Sequence, residues 1–348
     1  MISYINILRS LAIIGVIIIH SSGPLLSFID NPTYWWVGNV YDGLVRWCVP
    51  LFVMISGTLL LNPKREDSLQ VFLKKRASKI VLPFIAWIVF YSFWKYKSEL
   101  GTVSIPAAIN EMINGTVYFH LWFLYMIVGI YLITPLIQIV IRYGNRSIVE
   151  YYLVIWFITS SLFPLVKYIL DIRVGLQMPY FTGYLGYFIL GYYLHHIQLS
   201  TKIKNVIYSV GILSVLITIT GTYLGTKTLG TFDGYYYEYL SPNNVFASIA
   251  IFILFKSINW DNIFEKNGPF MKVTTSISNA SFGIYLIHPL VMDIISSHTM
   301  YKLIGIKINY NLSHPFIGTP ITILVVLILS FISIWVMRKI PFIKKLVP

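Results

Sequence analysis

Hydrophobic and polar positions fall in long blocks along this chain, not in residue-by-residue alternation. Apolar runs occupy approximately 4–24, 38–61, 78–95, 118–141, 149–170, 180–197, 205–224, 243–258, 278–297 and 317–338. Each is near the roughly 20 residues that an α-helix needs to cross a bilayer, whereas the strands of a membrane barrel would alternate over about ten. The pattern predicts an all-α fold, a polytopic transmembrane bundle of about ten helices. The connections at 96–117, 171–179, 225–242 and 298–316 are short and nothing resembles an appended soluble domain, so residues 1–348 read as one membrane domain.

Composition agrees: 57% of the residues are hydrophobic, 11% are charged and the mean hydropathy is +0.73, against about 25% charged in an ordinary soluble domain. The net charge of +13 would suggest nucleic acid in a soluble protein, but its distribution says otherwise. With a cytoplasmic N-terminus, seventeen cations fall in inner loops, among them Lys64, Arg65, Lys74, Lys75, Lys202, Lys204 and Lys266, against eight on the outer side. The positive-inside rule then predicts both termini in the cytoplasm, and anionic membrane lipid is the partner that the charge requires, not nucleic acid. The first run has no basic segment before it and no evident cleavage site, and so reads as a spanning helix and not as a removed signal. Cys48 is the sole cysteine, so an intramolecular disulfide is impossible.

Arg9 and His20 stand eleven residues apart in the first run, almost three whole helical turns, so they share one face about 16 Å apart along the axis. Ionisable groups at membrane depth are costly unless they line a polar interior. A neutral imidazole there suits general-base work on a hydroxyl, or else simply bonds a neighbouring helix. Arg76 and Lys79, placed where the third helix begins, could hold the phosphates of a nucleotide-like ligand or bind lipid headgroups. His120, opening the fourth helix beside Trp122, could orient a polar acceptor, and Arg46 in the second helix points into the bundle or snorkels outward. His288 precedes Pro289, which leaves a carbonyl one turn earlier without its helical donor, so a structural and a site role both stay open. No metal is expected: zinc-ligand spacings are missing, the adjacent His195 and His196 point to different helix faces, and no phosphate-binding glycine loop or nucleophile elbow occurs.

Taken together, these pieces resemble the acyltransferase-3 family of bacterial integral membrane O-acyltransferases. Arg9 and His20 match its Arg-ten-residues-His pattern, and Val49-Pro50-Leu51-Phe52-Val53-Met54-Ile55-Ser56-Gly57 its second-helix signature. Arg76-x-x-Lys79 before Pro83 is similar to its Arg-x-x-Arg element, and Phe119-His120-Leu121-Trp122-Phe123 and Gly283-Ile284-Tyr285-Leu286-Ile287-His288-Pro289 follow in order. Two positions depart from the pattern: Lys79 keeps the charge but loses the guanidinium fork, and Asn6 stands where many members carry an acid.

The resemblance implies acyl-CoA, most simply acetyl-CoA, as a co-substrate, with no bound cofactor. It further implies a bacterial cytoplasmic membrane location and a cell-surface glycan or its lipid-linked precursor as acceptor, as in the stand-alone members that acetylate surface polysaccharide. Arg76, Lys79 and Arg9 would hold the donor's phosphates, His20 would act as general base assisted by Arg9, and His120, Trp122 and Arg46 would face the acceptor, with His288 and Tyr285 as further site residues. Transfer could be direct or pass through an acyl-histidine. A transporter or flippase for a polar solute or lipid-linked sugar is the rival reading, since it too needs a polar interior and a basic rim.

Overall fold

The computed structural model describes residues 3–62, 68–97, 104–175, 180–265 and 267–348. Lys64, Arg65 and Lys266, counted above among the inner cations, lie outside the described residues. The described chain is helical without a strand, and it is a multi-pass membrane protein. We number its main helices α1 Ser3–Ser22, α2 Pro32–Gly43, α3 Cys48–Leu60, α4 Leu69–Tyr96, α5 Ile105–Asn114, α6 Trp122–Tyr143 and α7 Arg146–Leu170. After them come α8 Tyr180–His196, α9 Thr201–Leu229, α10 Pro242–Ser257, α11 Pro269–Ser296, α12 His298–Ile304 and α13 Pro315–Met337.

Among the described residues, eight helical stretches are long and apolar enough to cross a membrane, with α2 and α3 together forming one of them. The other two expected positions, 180–197 and 278–297, are also helical, as α8 and α11. α8 is the shorter, and α11 begins at Pro269, earlier than its apolar run, because its first turns carry Lys272, Thr274, Thr275 and Ser276. Two of the short connections contain the helices α5 and α12.

α1 is the axis of the bundle, buried along most of its length against α3, α11 and α13. Asn6, at the position where an acid is common, is buried and bonded to α11: its amide nitrogen donates to Thr275 Oγ1 at 3.4 Å and its oxygen accepts from Ser278 Oγ at 3.2 Å. Ser10 Oγ adds a third tie, to the Thr274 carbonyl at 2.7 Å. Polar pairs of this kind fix helix register where lipid offers no competing partner.

α3 and α8 pack closest. A Cβ added to Gly57 would run into the backbone of Phe188, and one added to Gly191 into the backbone of Met54. Thr58 Oγ1 donates to the Gly191 carbonyl at 3.0 Å across the same seam. The small residues of the second-helix signature therefore let two backbones meet, as in membrane helix pairs generally.

The second and third predicted helices differ from expectation. The run at 38–61 is broken into α2 and α3 by a turn at 44–47. Pro50 has no N–H to bond the Arg46 carbonyl one turn earlier, so the ladder cannot run through this point unaltered. The third helix starts at Leu69, capped by Ser68 Oγ, and so Arg76 lies inside it and not ahead of it, with Lys79 deep in it and not at its first turn. A π-helical turn spans Ala77–Val81, with the Leu82 N–H bonding the Ala77 carbonyl. Pro83 explains it: without an amide hydrogen it cannot serve the Lys79 carbonyl, and the ladder slips by one residue.

Candidate active site

The chemistry of the site begins with a proline. Pro289 lies inside α11, and its missing N–H leaves the Tyr285 carbonyl without the usual helical donor. His288 Nδ1 takes that place at 2.8 Å and also approaches the Ile284 carbonyl at 3.1 Å. Carbonyls only accept, so Nδ1 of neutral His288 carries the hydrogen and Nε2 is left with a lone pair. His20 Nδ1 lies 2.7 Å from that Nε2. The two rings are parallel to within 3° with centroids 5.0 Å apart, as an in-plane hydrogen bond requires. His20 must therefore donate from Nδ1, and its Nε2 is the free lone pair of the pair.

His120 sits immediately before α6, not within it as expected, in the turn that leads into Trp122. It is buried, its ring centroid lies 5.6 Å from that of His288 and 4.9 Å from that of Tyr91, and among the described residues neither ring nitrogen makes a hydrogen bond of ordinary geometry, although the ring lies near the backbone of Leu286. Tyr285 Oη donates to the His120 carbonyl, and Tyr91 Oη donates to the Leu286 carbonyl at 2.7 Å. These two tyrosines tie the His120 turn and α4 to α11 at the level of the histidines. Phe119 sets its edge against the His20 ring at 4.8 Å.

Two cavities flank this layer. The first, of about 290 Å³, is lined by Arg9, Arg76, Lys79, Tyr131, Phe123 and Tyr285, among others. Three cations from α1 and α4 thus converge on one space, and the π-helical turn lies where two of them leave α4. The Arg76 guanidinium also lies over the rings of Phe72 and Tyr131, at 5.7 and 5.9 Å. Clusters of this composition suit phosphate oxygens, with arginine offering the planar fork and lysine a point charge.

The second cavity, of about 660 Å³, is lined by His20, Phe119, Asp42, Arg46, Pro289 and Asp293, among others. This is within the usual range of small-molecule sites, about 300–1,000 Å³. Arg46 Nε is 2.5 Å from Asp42 Oδ1, and its guanidinium lies 4.1 Å over the Tyr237 ring. The sequence reading missed Asp42, although its spacing of four residues before Arg46 is the ordinary signature of a helical ion pair. It also missed Asp293, whose Oδ2 accepts from Trp94 Nε1 at 2.9 Å and from Tyr118 Oη.

The linings of the two cavities come within one helical turn of each other on α11. On α11 the lining passes from Tyr285 to Pro289, and on the chain entering α6 from Phe123 to Phe119. Four residues of helix rise about 6 Å. Arg9 faces the cationic cavity and His20 the other, so their shared face on α1 joins the two spaces. Trp122 stands apart: it packs on Tyr239 at 5.8 Å and Tyr184 at 5.7 Å and lines neither cavity.

A family model described as an acyltransferase domain matches residues 2–339. The chain is also 23% identical over 306 residues to YfiQ of Bacillus subtilis (strain 168), which bears the provisional name of membrane-bound acyltransferase; the alignment covers 83% of this chain and 81% of that one. No solved structure matches. With a layer of histidines between a cationic cavity and a second polar one, and with the family match running over almost its whole length, the chain belongs to the acyltransferase-3 family of membrane acyltransferases.

Proposed function

We propose that this acyltransferase moves an acetyl group from cytoplasmic acetyl-CoA to a hydroxyl of a cell-surface glycan or its lipid-linked precursor. The observation that carries the reading is the His20–His288 pair, held where a cationic cavity and a second cavity come within one helical turn of each other along α11. In this reading the termini and the cationic cavity face the cytoplasm of a bacterial cell. Arg76, Lys79 and Arg9 hold the donor's phosphates, and the pantetheine arm crosses the turn between Tyr285 and His288. The acceptor enters the other cavity past Arg46, and Trp122 stiffens the acceptor side without touching it.

His20 Nε2 removes the acceptor's hydroxyl proton as the oxygen attacks the thioester carbonyl. His288 steadies the imidazolium by accepting from Nδ1, and His120 donates to the oxyanion. Collapse of the tetrahedral intermediate breaks the carbon–sulfur bond, and the thiolate recovers the proton from His20. Atoms and charge balance without an acyl-histidine. General-base assistance of this kind is worth about 10²–10⁴ in rate.

The test is thiol release from acetyl-CoA by protein in nanodiscs, with the host's surface-glycan fraction as acceptor. Release that depends on acceptor and drops by at least a hundredfold in a folded His20→Ala variant supports the reading. Equal release by both proteins sinks the role of His20. The two cavities at opposite ends of a thin wall also fit a transporter of a polar solute, and solute movement without thioester consumption would favour that reading.

A further inference from the structure

The charges lining the His20 cavity do not cancel. Asp42 and Arg46 are paired at 2.5 Å and neutralise each other. Asp293, on α11, is then the one charge without an ionic partner among the described residues that line it. Its described donors, Trp94 Nε1 and Tyr118 Oη, both reach Oδ2 and come from α4 and from the turn before α6. Those bonds fix the carboxylate through Oδ2 at the wall of the cavity that Asp293 lines. Aromatic faces from Phe119, Phe232 and Tyr310 share the same lining.

From this we infer that Asp293 is the residue by which the enzyme selects its acceptor. Resting on the glycan-acetylation reading above, the carboxylate accepts hydrogen bonds from hydroxyls of an uncharged sugar unit and repels a uronate or a phosphorylated one. A fixed carboxylate is a strong acceptor for hydroxyl donors and at the same time a repulsive element against anions, so a single group supplies both halves of the discrimination. Asp293 does not act on the reacting atoms. It positions the acceptor beside His20, which lines the same space.

The test uses wild type and Asp293→Asn in nanodiscs with acetyl-CoA and matched pairs of methyl hexosides and methyl hexuronides. The expected result is a wild-type preference for the hexoside of about a hundredfold in kcat/KM. Asp293→Asn should erode this by tenfold or more, through a higher KM for the hexoside and faster turnover of the hexuronide. These factors correspond to a hydrogen bond to a charged group. The KM for acetyl-CoA should not move, whereas a merely structural role would depress both acceptors alike and disturb the donor as well. Wild type that acylates both members of a pair equally overturns the inference even if the variant fails to fold. Thiol release with the glycan fraction but with no member of any pair also overturns it and leaves the acyltransferase mechanism standing. No release with any acceptor is instead the failure of the acetyl-CoA reading, and the inference falls with it.

Discussion

The rings of His20 and His288 meet edge to edge, Nδ1 to Nε2 at 2.7 Å, so the histidine of α1 is oriented by the histidine of α11. The direction of the bond is dictated from below, by the Tyr285 carbonyl that Pro289 sets free. His288→Phe should therefore lower kcat about five- to tenfold with the KM of both substrates unchanged, as expected for one hydrogen bond of about 1–1.5 kcal/mol. Pro289→Ala restores a competing helical donor and should give a smaller fall of the same kind. Steady-state kinetics of the two variants decide it, and a change confined to KM would count against the orienting role.

Arg76 and Lys79 divide the work of the cationic cavity unequally, since Arg76 is half-buried and Lys79 is exposed. Arg76→Ala should raise the KM for acetyl-CoA tenfold or more, in line with about 1.5–3 kcal/mol for a charge-assisted bond. The effect of Lys79→Ala should be smaller and should fade at high ionic strength. Lys79→Arg should retain or improve donor binding, and an effect of either variant on the KM for acceptor alone would contradict the assignment.

Asp42 and Arg46 form a pair with Asp42 fully buried. Removing one partner from such a pair leaves an uncompensated charge and costs about 3–5 kcal/mol. Asp42→Ala should accordingly lower the thermal midpoint of the protein in nanodiscs by many degrees, and Asp42→Asn combined with Arg46→Gln should recover part of the loss. A double variant no more stable than the single one would show that the pair is not what holds this corner.

Gly57 has the Phe188 backbone where a side chain would begin. Gly57→Ala must push α3 and α8 apart, at a cost of about 1–3 kcal/mol for overpacking. A lower thermal midpoint, with the remaining folded protein still active per molecule, is the expected outcome.

Cys48 is buried and is the only cysteine, so the chain is a ready background for accessibility labelling. With cytoplasmic termini, a membrane-impermeant maleimide applied to intact cells should label Lys307→Cys and spare Lys202→Cys, both being exposed positions. The reverse pattern would invert the topology and with it the side from which donor enters.

Most of the bundle is legible because bilayer-crossing helices must be apolar over their whole length: the run at 205–224 sits inside α9, and that at 317–338 overruns α13 by a single residue. The break at 44–47 is not, because the run from 38 to 61 stays apolar enough overall to read as one span, and Asp42, Gly43, Arg46 and Pro50, which mark it, are each tolerated within a membrane helix. The start of α11 is hidden for the opposite reason, its first turns being polar. Arg9, Arg76 and Lys79 stand out as candidates since charges are scarce here, but their convergence is a matter of helix packing. The bond between His20 and His288 spans 268 positions in the chain, and no local pattern could announce it.

The π-helical turn at Ala77–Val81 has a counterpart at Ile158–Leu162, and each lies just ahead of a proline, Pro83 or Pro164. Each holds one residue more than an α-helix of the same rise, so the sequence periodicity slips by one residue across it while the faces on either side stay aligned in space. A single-residue deletion, ordinarily ruinous in a membrane helix, would here be absorbed as a return to the regular ladder. In α4 it would leave both Arg76 and the bundle-facing side of 82–96 in place and re-aim only the residues between them, Lys79 among them, so the cationic cavity would lose one charge while the fold is spared.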